Sequence, residues 1–300
     1  MAELRFKKIE LSDREQAMEC LSRSGFRGCE YTFGNNFVWR NIYDIEVCFA
    51  EGFYFCKQNS GNNTRFIFPA GNDDIEKAVY LMKDYTFNKD LPLRFIANKD
   101  TAEKISQLFG NCSVTLNRDY CDYIYSADDL ENLSGKKYHA KRNHLNRFYE
   151  NNWSFEPITP DNIPECMDFL TLWKNENIAE SDSELQSKLN ELSVTECSLR
   201  YFEQLGYSGG VLRVDGEIQG FTVGEKSAEN CFVVHIEKAL RKYQGSYTAI
   251  NREFVKFLNG RYEYINREDD AGSENLRKAK LSYKPVFLEE KFDVCFGGKL

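Results

Sequence analysis

The chain has 300 residues, of which 42% are hydrophobic, 29% charged and 14% aromatic, with six prolines and a formal net charge of −8. That length suits one large domain or two of about 150 residues, and it buries a core without help from disulfides or metals. The composition excludes a disordered or low-complexity chain. The acidic balance excludes a globally basic nucleic-acid binder, so no DNA partner is expected.

The charge is uneven. Residues 1–130 carry −4 and residues 151–300 carry −7, whereas residues 131–150 carry +3. The opening stretch MAELRFKKIELSDRE is charged from its third residue, which argues against a secretory signal, and no run of about 18 apolar residues predicts a membrane span. Ten cysteines are scattered with no CxxC pair. A zinc cage is therefore not expected, no metal is assigned, and buried free thiols in a reducing cytoplasm are the expectation.

In chain order, residues 4–9 read as a strand and 12–23 as a helix opened by Ser12 and Asp13. The aromatic run 30–43 is partly helical. Strands follow at 45–50, 53–58 and 65–69, the first two joined at Glu51-Gly52, a hairpin signal. A helix over 74–86, a strand over 93–97 and a helix over 100–109 come next. Residues 113–125 read as a tyrosine-rich strand pair around Asn117.

The second half repeats this order. A strand at 153–158 leads to a helix from Asp161-Asn162 and to one helix or two over 184–205. Strands at 208–214 and 217–225 turn at Asp215-Gly216, and 231–236 is a third strand. A helix over 245–258, a strand over 262–266, a helix over 273–282 and strands over 286–296 complete it. Two similar α/β units with long antiparallel meanders are not a doubly wound fold, and neither GxGxxG nor GxxxxGK[ST] occurs. The expected fold class is α/β of the α+β type, built from two tandem units with mixed, largely antiparallel sheets. Its divisions are 1–130, a basic connecting helix at 131–150, and 151–300.

Three segments carry candidate chemistry. In 134–149, helical spacing puts Tyr138, Leu145 and Tyr149 on one apolar stripe. Lys136, Lys137, His144 and Arg147 fall opposite, with Lys141 and Arg142 flanking. Such a cationic face is either a solvated linker helix or a phosphate-binding surface. In 231–239, strand alternation puts His235, Glu237 and Ala239 on one face. They read as a salt-bridged strand end or as a general base and substrate clamp where a sheet opens. In 264–285, Asp270 or Ser273 caps a helix on which Arg277, Lys280 and Lys284 form a cationic ridge, while Leu276, Ala279 and Tyr283 pack.

The strings KKYHAKRNHLNRF, VVHIEKA, GSYTAINREF and INREDDAGSENLRKAKLSYKP, with EYTFGNNFVWR near the start, resemble the family of the C-terminal catalytic domain of bacterial phosphatidylglycerol lysyltransferases. The resemblance spans nearly the whole chain. It implies a tandem GNAT-like (acyl-CoA N-acyltransferase) fold and transfer of an aminoacyl group from aminoacyl-tRNA to a soluble or surface acceptor. Under it, Glu237, His235 or Asp270 accepts a proton or clamps an amine, and Lys280 or Arg277 stabilises negative charge. Arg267, Asn251, Tyr247 and Ser282, with Arg277, contact substrate, and Lys136, Lys137, Lys141, Arg142 and His144 take tRNA phosphates. The chain lacks the multi-spanning region of the lipid-modifying enzymes, which argues against phosphatidylglycerol as acceptor. It also departs from the acetyltransferase pyrophosphate pattern. Read from Lys242, that pattern has Gly245 in place but Tyr247 where a small residue belongs, which weakens acetyl-CoA or another acyl-CoA as donor. An acyl-CoA-dependent N-acyltransferase and a non-catalytic binding protein on the same scaffold are the alternatives.

Overall fold

Alternating apolar residues become strands throughout the computed structural model, which describes residues 3–60, 63–179 and 184–297. The first half contains β1 (Lys7–Lys8), α1 (Arg14–Ser24), α2 (Phe33–Val38), β2 (Glu46–Ala50), β3 (Phe53–Ser60) and β4 (Asn63–Ala70). It continues with α3 (Ile75–Asn88), β5 (Arg94–Asn98), α4 (Lys99–Phe109), β6 (Cys112–Leu116), β7 (Asp122–Ser126) and α5 (Ala127–Asn132). The basic segment is α6 (His139–Tyr149). The second half has β8 (Trp153–Pro157), α7 (Ile163–Asn177), α8 (Leu185–Arg200), α9 (Phe202–Leu205), β9 (Ser208–Val214), β10 (Glu217–Ala228) and β11 (Cys231–Ala239). It ends with α10 (Ser246–Phe257), β12 (Tyr264–Asn266), α11 (Glu274–Leu281), β13 (Phe287–Glu289) and β14 (Lys291–Phe296).

Both expected hairpins form, and their chemistry is visible. Glu51 and Gly52 have φ of 54° and 81°, Asp215 and Gly216 have φ of 53° and 84°. Paired left-handed residues match the twist of the flanking strands. The strand expected at 4–9 shrinks to two paired residues, Lys7 and Lys8, opposite β2.

Two mixed seven-stranded sheets result, ordered β1-β2-β3-β4-β5-β14-β6 and β13-β7-β12-β11-β10-β9-β8. Each has an antiparallel meander running into one parallel pair, β4 with β5 and β11 with β12. Read from opposite ends, the two orders are the same. The tandem α/β reading therefore holds for the architecture.

The strands do not divide where the chain does. Residues 113–125 are not a hairpin: β6 pairs with β14 in one sheet and β7 pairs with β12 and β13 in the other. Each half lends one strand to its neighbour's sheet, β7 forwards and β14 backwards. A cut at 131–150 would remove a strand from both sheets. The halves also share one core, in which Phe33, Phe37 and Tyr54 pack with Phe169, Trp173, Phe221 and Ile236.

Candidate functional site

The parallel pair β11–β12 is short. It runs from Cys231↔Tyr264 to Val233↔Asn266, after which β12 ends and β11 continues to Ala239 beside β10 alone. Where the strands part, side chains from four elements meet. Glu237 of β11 accepts from Arg267 Nη2 at 2.8 Å and from Asn251 Nδ2 of α10 at 3.1 Å. The Arg267 guanidinium lies over the ring of Tyr283 at 4.7 Å, and Lys141 Nζ of α6 lies over the same ring at 3.5 Å. Tyr283 is fixed from behind, since Tyr138 donates to its carbonyl at 3.0 Å and its hydroxyl meets Thr248 Oγ1 at 3.3 Å. Tyr125 completes the wall, 5.7 Å from the Arg267 guanidinium, and donates to the Lys280 carbonyl.

Two polar atoms here are buried without a hydrogen-bond partner, Arg267 Nη1 and Asn251 Oδ1. Lys141 has no carboxylate in hydrogen-bond contact among the described residues. Burial first, then the neighbouring Arg267, pulls its ammonium down to about 8. Two cations against one carboxylate leave the site electropositive and short of an acceptor.

Lys141 thus turns inward and belongs to this site, not to the outer face of the basic helix. Arg142 is also removed from that face, because it donates to the carbonyls of Leu133 and Gly135 and caps the end of α5. Lys136, Lys137 and His144 remain exposed, with Lys137 paired to Asp129 at 2.8 Å. Gly245 has a packing reason: with φ 97°, a Cβ there would meet the His144 carbonyl oxygen at 2.1 Å. The glycine seats α10 against α6, and Tyr247, in the first turn of α10, accepts a hydrogen bond at its hydroxyl from Trp173 Nε1 of α7 at 3.4 Å.

The third segment separates from this site. Asp270 is fully buried and accepts from Tyr123 at 2.5 Å and from Arg277 at 2.9 and 2.7 Å, with Arg118 at 3.4 Å. Burial pushes its carboxyl up, but these donors outweigh that and hold it at about 2. Arg277 also binds Asp119 at 2.6 Å, so it ties α11 to the loop before β7. A carboxylate so fully bonded is a clamp, not a proton acceptor. The expected cationic ridge of α11 does not form. Lys280 turns inward and donates to the carbonyls of Arg267 and Asp269, and Lys284 lies beyond the helix with φ 54°. Ser282 bonds its own helix at the Ala279 carbonyl.

His235 and Glu237 do not share a face. Val223 pairs with Ile236 and Gly224 with Val234, so His235 is an extra, bulged residue. A bulge turns two successive side chains to one side. Val234 then packs towards α10, Ile236 towards the shared core, and Glu237 returns to the α10 side. His235 is left between two carboxylates, Nε2 3.0 Å from Glu225 and Nδ1 2.7 Å from Glu268. Burial pulls its imidazole down, but the two carboxylates dominate and raise it to about 9, so it is charged at neutral pH.

Beside it, Lys291 of β14 donates to Asp122 and pairs with Glu30, both at 2.7 Å, with Cys29 Sγ at 3.5 Å. Cys29, Glu30 and Asp122 bring ligand-type atoms within 4.8 Å of one another. The ammonium of Lys291 already lies among them, so the group fits a metal poorly. Sequence reading missed Tyr283 as a site wall, having read it as packing, and missed Glu225, Glu268 and Lys291. A lone lysine opening a strand carries no local signal of its burial.

A solved structure of a conserved protein of unknown function from Bacteroides thetaiotaomicron is 35% identical and superposes with a TM-score of 0.92, covering 98% of this chain and all of that one. The structure of L-PGS from Bacillus licheniformis shares the fold at 14% identity, with a TM-score of 0.67 over 94% of this chain and 91% of that one. An uncharacterised protein of Mycoplasmoides gallisepticum is 28% identical over 178 residues, 57% of this chain, and the match spans about half (54%) of that relative's length. A family model described as phosphatidylglycerol lysyltransferase, C-terminal, matches residues 22–295, and the chain belongs to that family.

Proposed function

We propose that the protein is an aminoacyltransferase that moves an aminoacyl group from tRNA to a nucleophile on a soluble or surface acceptor. The observation that carries this reading is the electropositive site at the parting of β11 and β12, with Arg267 Nη1 unpartnered and Lys141 beside it. Attack on an ester carbonyl builds charge on the carbonyl oxygen, and buried donors aimed at it stabilise that charge. Arg267 and Lys141 are the donors. Glu237 holds Arg267 and Asn251 in place, and the free Asn251 Oδ1 accepts an N–H of the aminoacyl group. The acceptor nitrogen or oxygen bonds to the carbonyl carbon, the bond to the tRNA ribose oxygen breaks, and that oxygen takes up the proton the nucleophile loses.

The exposed Lys136, Lys137 and His144, before and on the helix that carries Lys141, suit the phosphates of the tRNA end. Family membership supports the same donor class, and such a reaction belongs in the cytoplasm, where tRNA is charged. No helix among the described residues is long and apolar enough to cross a membrane. Acyl-CoA is the weaker donor, because Tyr247 in the first turn of α10 stands where the pyrophosphate pattern has a small residue.

Retention of charged tRNA on filters across a salt series tests the donor. Binding should fall steeply with salt, and the Lys136→Ala/Lys137→Ala variant should flatten the slope of log affinity against log salt by roughly 1.5. Absent or salt-insensitive retention, unchanged in the variant, would overturn the reading.

A further inference from the structure

The two sheets have four terminal strands, β1 and β6 in the first and β13 and β8 in the second. A terminal strand offers unpaired backbone groups to any other strand, and folded chains blunt such an edge with charge, proline or shortness. Three of these four are blunted. β1 is two lysines, β13 is three residues ending in Glu289, and β8 ends in Glu156 and Pro157. β6 differs: Cys112-Ser113-Val114-Thr115-Leu116 has five residues, no charge and no proline. Among the described residues, only β14 pairs with it.

The register settles which groups β6 leaves free. Asn117 N donates to the Lys291 carbonyl at 2.8 Å, and these two residues continue the antiparallel register that sets Leu116 opposite Phe292. Hydrogen-bonded pairs alternate along an antiparallel ladder. Asn117, Thr115 and Ser113 therefore bond to β14, while the N–H and C=O groups of Leu116, Val114 and Cys112 point outwards. Side chains alternate as well. Cys112 and Val114 pack, half-buried, on the first-half core beside Phe292, and Leu116 on their face is 42% exposed. Ser113 and Thr115 are exposed on the other face. The core beneath this sheet is thus open along β6.

The strand is also complementary to itself. A two-fold axis through Val114 sets Val114 opposite Val114 of a second copy, Cys112 opposite Leu116 and Ser113 opposite Thr115. Outward backbone groups then meet outward backbone groups, giving about six inter-strand hydrogen bonds. No charge faces a like charge, and Leu116 covers Cys112 on the core side. The same operation on β1 would set Lys7 against Lys8.

We infer that β6 docks a second copy of this chain, antiparallel about Val114, so that two seven-stranded sheets join edge to edge. The pairing uses the one unblunted edge of each copy, so assembly stops at two. The parted strands β11 and β12 belong to the other sheet, and the inference is independent of the transfer reading. Five paired residues a side fall short of the roughly 20–30 of a standard interface, so the dimer dissociates in the micromolar range, not the nanomolar.

Sedimentation velocity of the full chain from about 1 to 300 µM tests this. The chain should pass from monomer to dimer across the series, with no larger species. Ser113→Lys/Thr115→Lys alters only exposed side chains, so the native melting temperature should be kept. It sets lysine against lysine twice across the axis and should weaken the dimer about tenfold. Ser113→Glu/Thr115→Glu should do the same, and an equimolar mixture of the two variants should dimerise again. In the native chain, the amides of Cys112, Val114 and Leu116 should gain protection from hydrogen exchange as concentration rises, while those of Ser113 and Thr115 stay unchanged. That readout needs no variant, so a poorly folded variant cannot decide the matter. A monomer throughout, a dimer that both variants leave intact, a mixture that stays monomeric, or open-ended species would overturn the inference.

Discussion

Arg267 and Glu268 stand next to each other and meet opposite surroundings. Arg267 faces Glu237 and Tyr283, while Glu268 faces His235. The turn that allows this is held by Lys280 on two carbonyls and by Asn266 Oδ1, which accepts from Glu268 N at 2.7 Å with Glu268 at φ 57°. A non-glycine residue in that region costs energy unless its surroundings over-determine it. His235 and Glu289 give stability a sign with pH. His235 is charged in the fold to about pH 9, so its stabilisation is complete below 6.5 and is lost as pH rises through 9. Glu289 is raised to about 7, so its burial cost is absent below 4.5 and complete above 7. Both lower stability as pH rises. The melting temperature should therefore fall between about pH 5 and pH 8, above which loss of the Lys141 proton opposes the loss at His235, and Glu289→Gln should flatten the lower part of that fall while the upper part persists. A melting temperature that rises across this range would contradict the assignment.

At the scale of elements, the hairpins were legible because Glu51-Gly52 and Asp215-Gly216 sit between alternating apolar runs, and turn chemistry is local. Caps marked some helices, since Ser273 Oγ accepts from Leu276 N at the start of α11, but Asp13 and Asn162 make no cap hydrogen bond to α1 and α7, which were legible from their apolar spacing. Two features were not. The bulge at His235 leaves no mark on composition, yet it moves one expected site residue to the other side of the sheet. The separation of β6 from β7 depends on a strand about 180 residues after β6, from Phe292 opposite Leu116 to Phe296 opposite Cys112, so no local pattern encodes it. The site was legible in part: Glu237, Asn251 and Arg267 do converge, whereas Asp270 and Arg277 form a clamp and Lys141 changes role. Gly245 shows how an element junction constrains the site. Gly245→Ala would need φ 97° and a 2.1 Å approach to the His144 carbonyl. It should destabilise the fold by roughly 1–3 kcal/mol, measurable by denaturant titration, and shift α10 relative to Lys141. Unchanged stability would show that α6 and α10 are not seated on each other in this way.

Across the whole molecule, the exchanged strands β7 and β14 place their charges in one buried knot, Asp122 on the first and Lys291 on the second. The halves are joined by that knot and by a common core, so the two sheets are held in one body. The net −8 conceals two local excesses, positive at Arg267 and Lys141, negative at Glu268, Asp269 and Glu289. The most direct test measures how fast charged tRNA loses its amino acid to the small-molecule fraction of a bacterial extract, with and without the protein. The account predicts protein-dependent transfer that Arg267→Ala slows by about 100-fold. Transfer no faster than without protein, or equally fast in Arg267→Ala, would contradict it.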